Sequence, residues 1–536
     1  MKSVNGNSVC LGVVIGKIQF YRKNAHEISK VILEDIEGEK NRYLAARDKA
    51  IQELKELYEN TKTSLGEDAE IFEMHGMLLE DEDYNDEVLN IIDREHTNAE
   101  YAVFQAGEHF YDIFSNIEDE YMKNRAIDMR HISEKVILSL QGLHQVTQLK
   151  EPRILAADDL QPSETVQLDR NMLLAFVTKK GSSNSHTAIL ARTMNIPALV
   201  NVDIDKGWDG KLAIVDANTG CMIIEPDEKT IEKYQRIIDE QTKQDDMLQE
   251  LKGKESVTQN GHKVKLYANI GNLTDLNYVI ENDAEGVGLF RSEFIYLNSN
   301  DYPTEEQSFE IYKKAAEALG QKRLIIRTLD IGADKKVDYF NLDEEENPAL
   351  GYRAIRICLK RPEIFKTQLR AILRASIYGN ISIMYPMITS VEEITSIKTI
   401  VNEVRAELDA EKIPSKKDIE QGIMIETPAA AIISDVLAKE VDFFSIGTND
   451  LSQYTLAIDR MNDKLEDFFD SHHEAILRLI ELTVKNAHNN GIWVGICGEL
   501  GSDTSLTQKF MDMGIDELSV SPSKVLKVRQ IIRSCK

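Results

Sequence analysis

The chain has 536 residues, with 91 acidic against 63 basic side chains and a formal net charge of −28. That charge is repelled by phosphate backbones, which excludes nucleic acid as an expected partner and leaves basic proteins or plain solvation. At 42% apolar residues the composition is globular, no apolar run reaches the ~18 residues of a membrane span, and the length implies roughly two to four domains.

Five cysteines (Cys10, Cys221, Cys358, Cys497, Cys535) show no pairing rhythm. A reducing, cytoplasmic setting without a signal peptide is therefore expected.

Residues 8–20 read as strand, glycine turn, strand. From about 33 to 141 the pattern is helical and free of proline. Leu44, Ile51, Leu54 and Tyr58 fall at helical spacing, as do Val103, Phe110, Ile113 and Ile117, which predicts a subdomain of several helices. Short strand-like runs return at 153–156, 172–177 and 211–216. An α/β domain interrupted by a helical insertion is expected. Residues 228–252 form one polar amphipathic helix, a linker, with Ile231, Tyr234 and Ile238 on its apolar face.

Among those strands lies GSSNSHTAILARTMNIPALV, Gly181 to Val200. It puts His186 in a Gly/Ser-rich turn at the start of a helix that ends before Pro197. A helix N-terminus offers unpaired N–H groups and a positive dipole end, so an anion beside His186 is stabilised there. A nucleophilic imidazole at an anion site reads as a phosphoryl carrier. Taken locally, a capping turn with an incidental histidine is an equal reading.

After residue 255, strand and helix alternate eight times, with strands expected at 264–270, 286–291, 324–329, 381–386, 422–426, 443–447, 493–497 and 517–520. Eight β/α units predict a TIM barrel, with a doubly wound sheet as the alternative. The expected strand ends carry Arg291, Arg327, Glu426, Asn449, Asp450 and Cys497, where a barrel builds its active site. Arginine forks suit phosphate and carboxylate. Glu426 and Asp450 are hard oxygen ligands suited to Mg²⁺. Arg460 either completes the cation cluster or makes a surface ion pair. Cys497, between a strand and Gly498, is either a small buried hydrophobe or a proton donor.

Several segments carry a resemblance to a known family: GVGLFRSEFIYL (286–297), RTLDIGADK (327–335), ENPALGYRAIRI (346–357), GIMIETPAA (422–430), FSIGTNDLSQYTLAIDR (444–460) and VGICGELGSD (494–503). With the His186 segment, they resemble the phosphoenolpyruvate (PEP)-utilising enzymes, and over nearly the whole chain Enzyme I of the PEP:sugar phosphotransferase system. The resemblance implies a phosphohistidine swivelling domain (1–32 and 142–227), a helical insertion that binds the carrier protein HPr (33–141), a linker helix (228–254) and a PEP-binding barrel (255–536). It implies that His186 takes the phosphoryl group from PEP and passes it to a histidine of HPr, the first step of sugar uptake. Arg291, Arg327, Arg460, Asn449 and Asp450 would bind substrate, Glu426 and Asp450 would ligate Mg²⁺, and Cys497 would protonate the enolate. A homodimer through the barrel is also implied.

Residues 67–87 hold ten acidic and no basic side chains, with Ile71, Phe72, Met77, Leu78 and Leu79 interleaved. Beside the family likeness such a patch suits a carrier with an apolar spot ringed by positive charge; taken locally, an ordinary amphipathic helix with a solvated acidic face is the stronger reading. The chain departs from the family pattern at Ser182, Asn184, Gln161, Ala333 and His131, and it lacks the usual "SPG" near its start and the prolines before Ala475. Two other readings remain: a pyruvate phosphate dikinase or PEP synthase, which needs a nucleotide domain not evident here, and a degenerate regulator that senses PEP.

Overall fold

The computed structural model describes residues 1–21, 28–65, 70–116, 120–142, 151–158, 172–181, 191, 196–297, 299, 301–333, 337–460 and 462–536, with the side chains of 60–65, 70, 120–125, 463 and 466 outside that description. His186, Gln161, Ser182 and Asn184 lie outside the described residues. The chain divides into two compact units, Met1–Gln244 and Asp245–Lys536.

The first unit is built on an eight-stranded mixed sheet of β1 (Lys2–Asn5), β2 (Asn7–Cys10), β3 (Val13–Phe20), β4 (Arg153–Ala157), β5 (Leu173–Thr178), β6 (Ala198–Val200), β7 (Leu212–Asp216) and β8 (Cys221–Ile224). Its order is β1-β8-β7-β3-β4-β5-β6-β2, parallel from β3 through β6 and antiparallel elsewhere. The turn after β2 reaches Gly12 at φ +142°, where a Cβ would meet the Pro197 ring at 2.6 Å.

Between β3 and β4 the chain leaves the sheet for five helices: α1 (Ile36–Leu65), α2 (Glu70–Glu80), α3 (Glu82–Glu95), α4 (Ala99–Ser115) and α5 (Glu120–Leu140). Asp81 caps α3 by accepting from the Tyr84 N–H. The helices bury a core of their own that includes Tyr43, Leu54, Phe72, Leu79, Val88, Ile92, Val103 and Val136. Gly107 lets α4 close on α5, since a Cβ there would meet Ser133 Oγ at 2.4 Å.

Phe72 and Leu79 are buried in this core, whereas Met77 is 61% exposed. The acidic–apolar stretch 67–87 therefore splits, because α2 packs Ile71, Phe72, Leu78 and Leu79 against the core and leaves Met77 outside.

Helix α6 (Glu228–Gln249) lays Tyr234, Ile237 and Ile238 beside Val13 and Ile214. The Tyr234 hydroxyl donates to Asp216 at 3.2 Å. No helix among the described residues is long and apolar enough to cross a membrane.

The second unit is a closed barrel of eight parallel strands: β9 (Lys265–Ile270), β10 (Gly286–Arg291), β11 (Arg323–Arg327), β12 (Asn380–Tyr385), β13 (Gln421–Ile425), β14 (Phe443–Ile446), β15 (Trp493–Ile496) and β16 (Glu517–Val520). The strands follow chain order, and β16 pairs with β9 to close the ring. Near-continuous apolar strands of this kind need cover on both faces. A large apolar cluster packs the surrounding helices, while Leu289, Ile325, Met384, Met424, Phe443 and Cys497 form a smaller one. At the strand starts Phe443 stacks on Trp493 with ring centroids 4.5 Å apart, and Arg323 lies over Trp493 at 5.1 Å.

Candidate active site

The strand ends of the barrel gather most of the residues singled out in the sequence. Arg291 closes β10 and Arg327 closes β11, and the two are register partners. Glu426 directly follows β13. Asn449 and Asp450 lie in the first turn of the helix Thr448–Leu456, which follows β14. Cys497 directly follows β15. Their placement is a consequence of the parallel topology, which brings every strand's C-terminal end to one face.

Arg327 is buried and held by carboxylates. Its Nη2 pairs with Glu293, and its Nη1 lies 3.0 Å from Asp330. Asp330 in turn lies 3.1 Å from Arg353, itself buried. Burial works against the Arg327 charge, but Asp330, Glu293 and Glu426 hold its pKa above the ordinary value.

The backbone beneath is fixed as well. Ser292 Oγ donates to the Arg327 carbonyl at 2.5 Å, and Gln368 donates to Ser292 at 2.8 Å while accepting from the Leu329 N–H at 3.0 Å. The guanidinium fork is thus pre-oriented, which lowers the entropy lost on binding an anion.

Glu426 is 1% exposed. One carboxylate oxygen accepts the Met387 N–H at 2.5 Å, from a residue whose φ is +60°. The other oxygen occupies the space a Cβ at Gly447 would need, 2.8 Å away. Burial, followed by the nearby Asp450 and Asp330 charges, raises the Glu426 pKa well above its ordinary value despite Arg327. Two carboxylates close together, one of them buried and pushed up by the other's charge, are a donor set for a divalent cation, whose charge would reverse the Glu426 shift. Asp450 also lies 3.8 Å from Arg460, which is exposed at the far end of the same segment.

Asn449 bridges to the next strand end. Its amide donates to Glu499 at 3.2 Å, and its oxygen accepts the Glu499 N–H at 2.9 Å.

Cys497 is buried, with Sγ 3.8 Å from the Ile446 carbonyl. Burial pushes its thiol up to about 12, with the neighbouring Ser445 acting in the opposite direction. A thiol so placed stays protonated at neutral pH and is poorly suited to act as a nucleophile. Arg291 and Cys497 line one cavity of ≈ 390 Å³ together with Asn269, Phe294, Glu499 and Lys524.

The sequence reading missed Glu293, Asp330 and Arg353. All three stand inside segments already quoted, and a charged residue next to a buried apolar run was the available signal.

Comparison with known proteins places these features in context. Models of the PEP-utilising enzymes match residues 245–536 (PEP-binding domain), 5–125 (N-terminal) and 149–220 (mobile domain). A phosphoenolpyruvate-protein phosphotransferase of Priestia megaterium is 41% identical over 537 residues, covering 99% of this chain and 94% of its own. That of Staphylococcus carnosus is 40% identical over 538 residues, with the same coverage of 99% and 94%. A solution structure titled Enzyme I is 34% identical and covers 45% of this chain and 99% of its own, at a TM-score of 0.40.

Proposed function

We propose a phosphoryl relay for this chain, which belongs to the phosphoenolpyruvate-protein phosphotransferase family of PEP-utilising enzymes. The observation that carries the proposal is the arginine and carboxylate set at the barrel mouth: Arg291 and Arg327 in register, with Glu426 beyond. Such a set matches a small anion that bears both a phosphate and a carboxylate.

PEP binds with these groups on Arg291, Arg327 and Arg460, and Asn449 helps through its bridge to Glu499. Glu426 and Asp450 would hold Mg²⁺, which would supply charge neutralisation to the transferring phosphoryl group. His186 attacks phosphorus with its neutral ring nitrogen. The N–P bond forms as the bridging P–O bond breaks, and the electron pair goes to the enolate oxygen. Cys497 delivers its proton to the enolate methylene carbon, which gives pyruvate, and the thiolate recovers a proton from water. The high thiol pKa supports this role, because the acid stays loaded until a carbanion-like centre forms beside it.

Phospho-His186 then donates to a histidine of HPr, docked on the helical insertion (33–141), as the first step of sugar uptake in the cytoplasm. The exposed Met77, between the exposed acids Glu73 and Glu80 of α2, supports a docking face of that kind. His186 must visit the barrel and the carrier in turn. The phosphohistidine domain (1–32 and 142–227) therefore swings on the linker (228–254), and the barrel (255–536) forms the homodimer.

The test is pyruvate release from PEP and Mg²⁺ without nucleotide. A single burst of at most one pyruvate per chain, becoming continuous when HPr is added, supports the relay. Dependence on ATP, or no burst at all, rejects it.

A further inference from the structure

The helical insertion contains a cluster that the relay does not use. His75 on α2 and Asp128 and His131 on α5 bring one ligand atom each to within 4.8 Å of one another. His75 and Asp128 are 4% and 2% exposed, and His131 is half-buried. Asp128 and His131 are three residues apart on α5, which sets both on one helix face. His75 occupies the inward stripe of α2 between the buried Phe72 and Leu79.

We infer that His75, Asp128 and His131 form a binding site for a divalent transition metal, Zn²⁺ foremost, that pins α2 to α5.

The donor set is the first argument. Two imidazoles and one carboxylate suit Zn²⁺ and its neighbours, whereas Mg²⁺ and Ca²⁺ take oxygen. The second argument is spacing. Bonds of about 2.0–2.2 Å to a tetrahedral ion set its ligand atoms about 3.4 Å apart. His75 Nε2 and Asp128 Oδ1 already stand 3.2 Å apart. His131 brings a ring nitrogen to within 4.8 Å of both, and the edge-on packing of the two imidazoles, 6.4 Å between centroids, leaves their rings unstacked.

The third argument is surrounding charge. Arg130, the cation next to this cluster in sequence, is turned to Glu108 at 2.6 Å and lies over the Tyr111 ring. It is therefore committed elsewhere. With two of its three ligands buried in helix packing, the ion is structural. Because α2 also carries the exposed Met77 and its flanking acids, the ion fixes the posture of that outer face.

The experiment uses the full chain, stripped with chelator and dialysed into excess Mg²⁺ so that the barrel carboxylates are occupied. Zn²⁺ uptake is measured by equilibrium dialysis, and Co²⁺ is used as an absorption probe. One Zn²⁺ per chain is expected, with a Co²⁺ visible band of low-coordinate nitrogen–oxygen ligation. H75Q and H131N each weaken uptake by more than roughly tenfold, the loss already seen when only an outer partner of a ligand is removed. E426Q retains full uptake, and Zn²⁺ raises the thermal midpoint of the wild type but not of H131N. If H75Q does not fold, the half-buried H131N decides the matter.

No uptake over Mg²⁺ overturns the site. Uptake that survives H131N also overturns it, and assigns the ion to surface pairs such as His472–Asp503 or His488–Asp516. Loss in E426Q alone overturns it in favour of the barrel.

Discussion

Arg291 and Arg327 are register partners on adjacent barrel strands, yet Arg291 is exposed and Arg327 is buried among carboxylates. The two arginines therefore answer differently to mutation. Arg291→Ala raises KM for PEP and leaves stability within about 0.5 kcal/mol, as for an exposed side chain. Arg327→Lys lowers kcat markedly and destabilises by about 1–3 kcal/mol, because a point charge cannot replace the fork shared by Glu293 and Asp330. Steady-state kinetics with chemical denaturation separates the two outcomes. Equal effects of both substitutions on KM alone contradict the division.

Cys497→Ser slows pyruvate formation while PEP affinity is kept. A hydroxyl is a far weaker acid than the buried thiol, and it leaves the arginines in place. Rapid-quench measurement of pyruvate, with PEP binding measured separately, checks both halves. Unimpaired pyruvate formation removes the proton-donor role.

Glu426 predicts a proton released on cation uptake. Its folded carboxyl titrates above the ordinary value of 4.5 because of burial and then Asp450. Above that value the folded state holds more protons than the unfolded one, so cation-free stability falls as pH rises. A bound cation reverses this by displacing the proton. Calorimetry of Mg²⁺ binding at pH 7 in two buffers of different ionisation enthalpy reads the release directly. Glu426→Gln abolishes it and weakens binding.

Much of this site was legible because barrel strands are short and apolar, so that a charged residue at each end stands out. Arg291, Arg327, Glu426 and Asp450 were found in this way. Glu293, Asp330 and Arg353 were not, because their roles depend on side-chain pairing between the segments that follow β10 and β11, which periodicity does not encode. The four-residue strands β1 and β8 and the three-residue β6 are too short for a pattern. Phe72 and Leu79 looked like part of a surface patch, since an amphipathic helix does not announce which neighbour covers its apolar stripe. His186 was read from its turn chemistry and family likeness, and it lies outside the described residues.

Arg529 illustrates the same limit in the core. It is fully buried on the inner face of the last helix, although arginine is ordinarily a surface residue. Its Nη1 meets Asp283 at 2.6 Å, its Nη2 donates to the Asp283 carbonyl at 2.6 Å, and Nη1 also reaches the Leu251 carbonyl at 3.2 Å. Arg529→Leu costs about 3 kcal/mol or more by stranding these partners. Burial opposes the Asp283 charge, but the Gly253 N–H and Arg529 outweigh it and depress the pKa. The stability it contributes is complete above the ordinary value of 3.8 and is lost as pH falls through the lower folded value. Denaturant unfolding of wild type and variant across acidic pH tests both claims.

The most direct measurement is to locate the phosphoryl group after incubation with ³²P-labelled PEP and Mg²⁺ in the absence of nucleotide. The account predicts an acid-labile, alkali-stable label on His186 that is absent from His186→Ala. A label that persists in that variant, or a wild-type chain that takes up none, contradicts it.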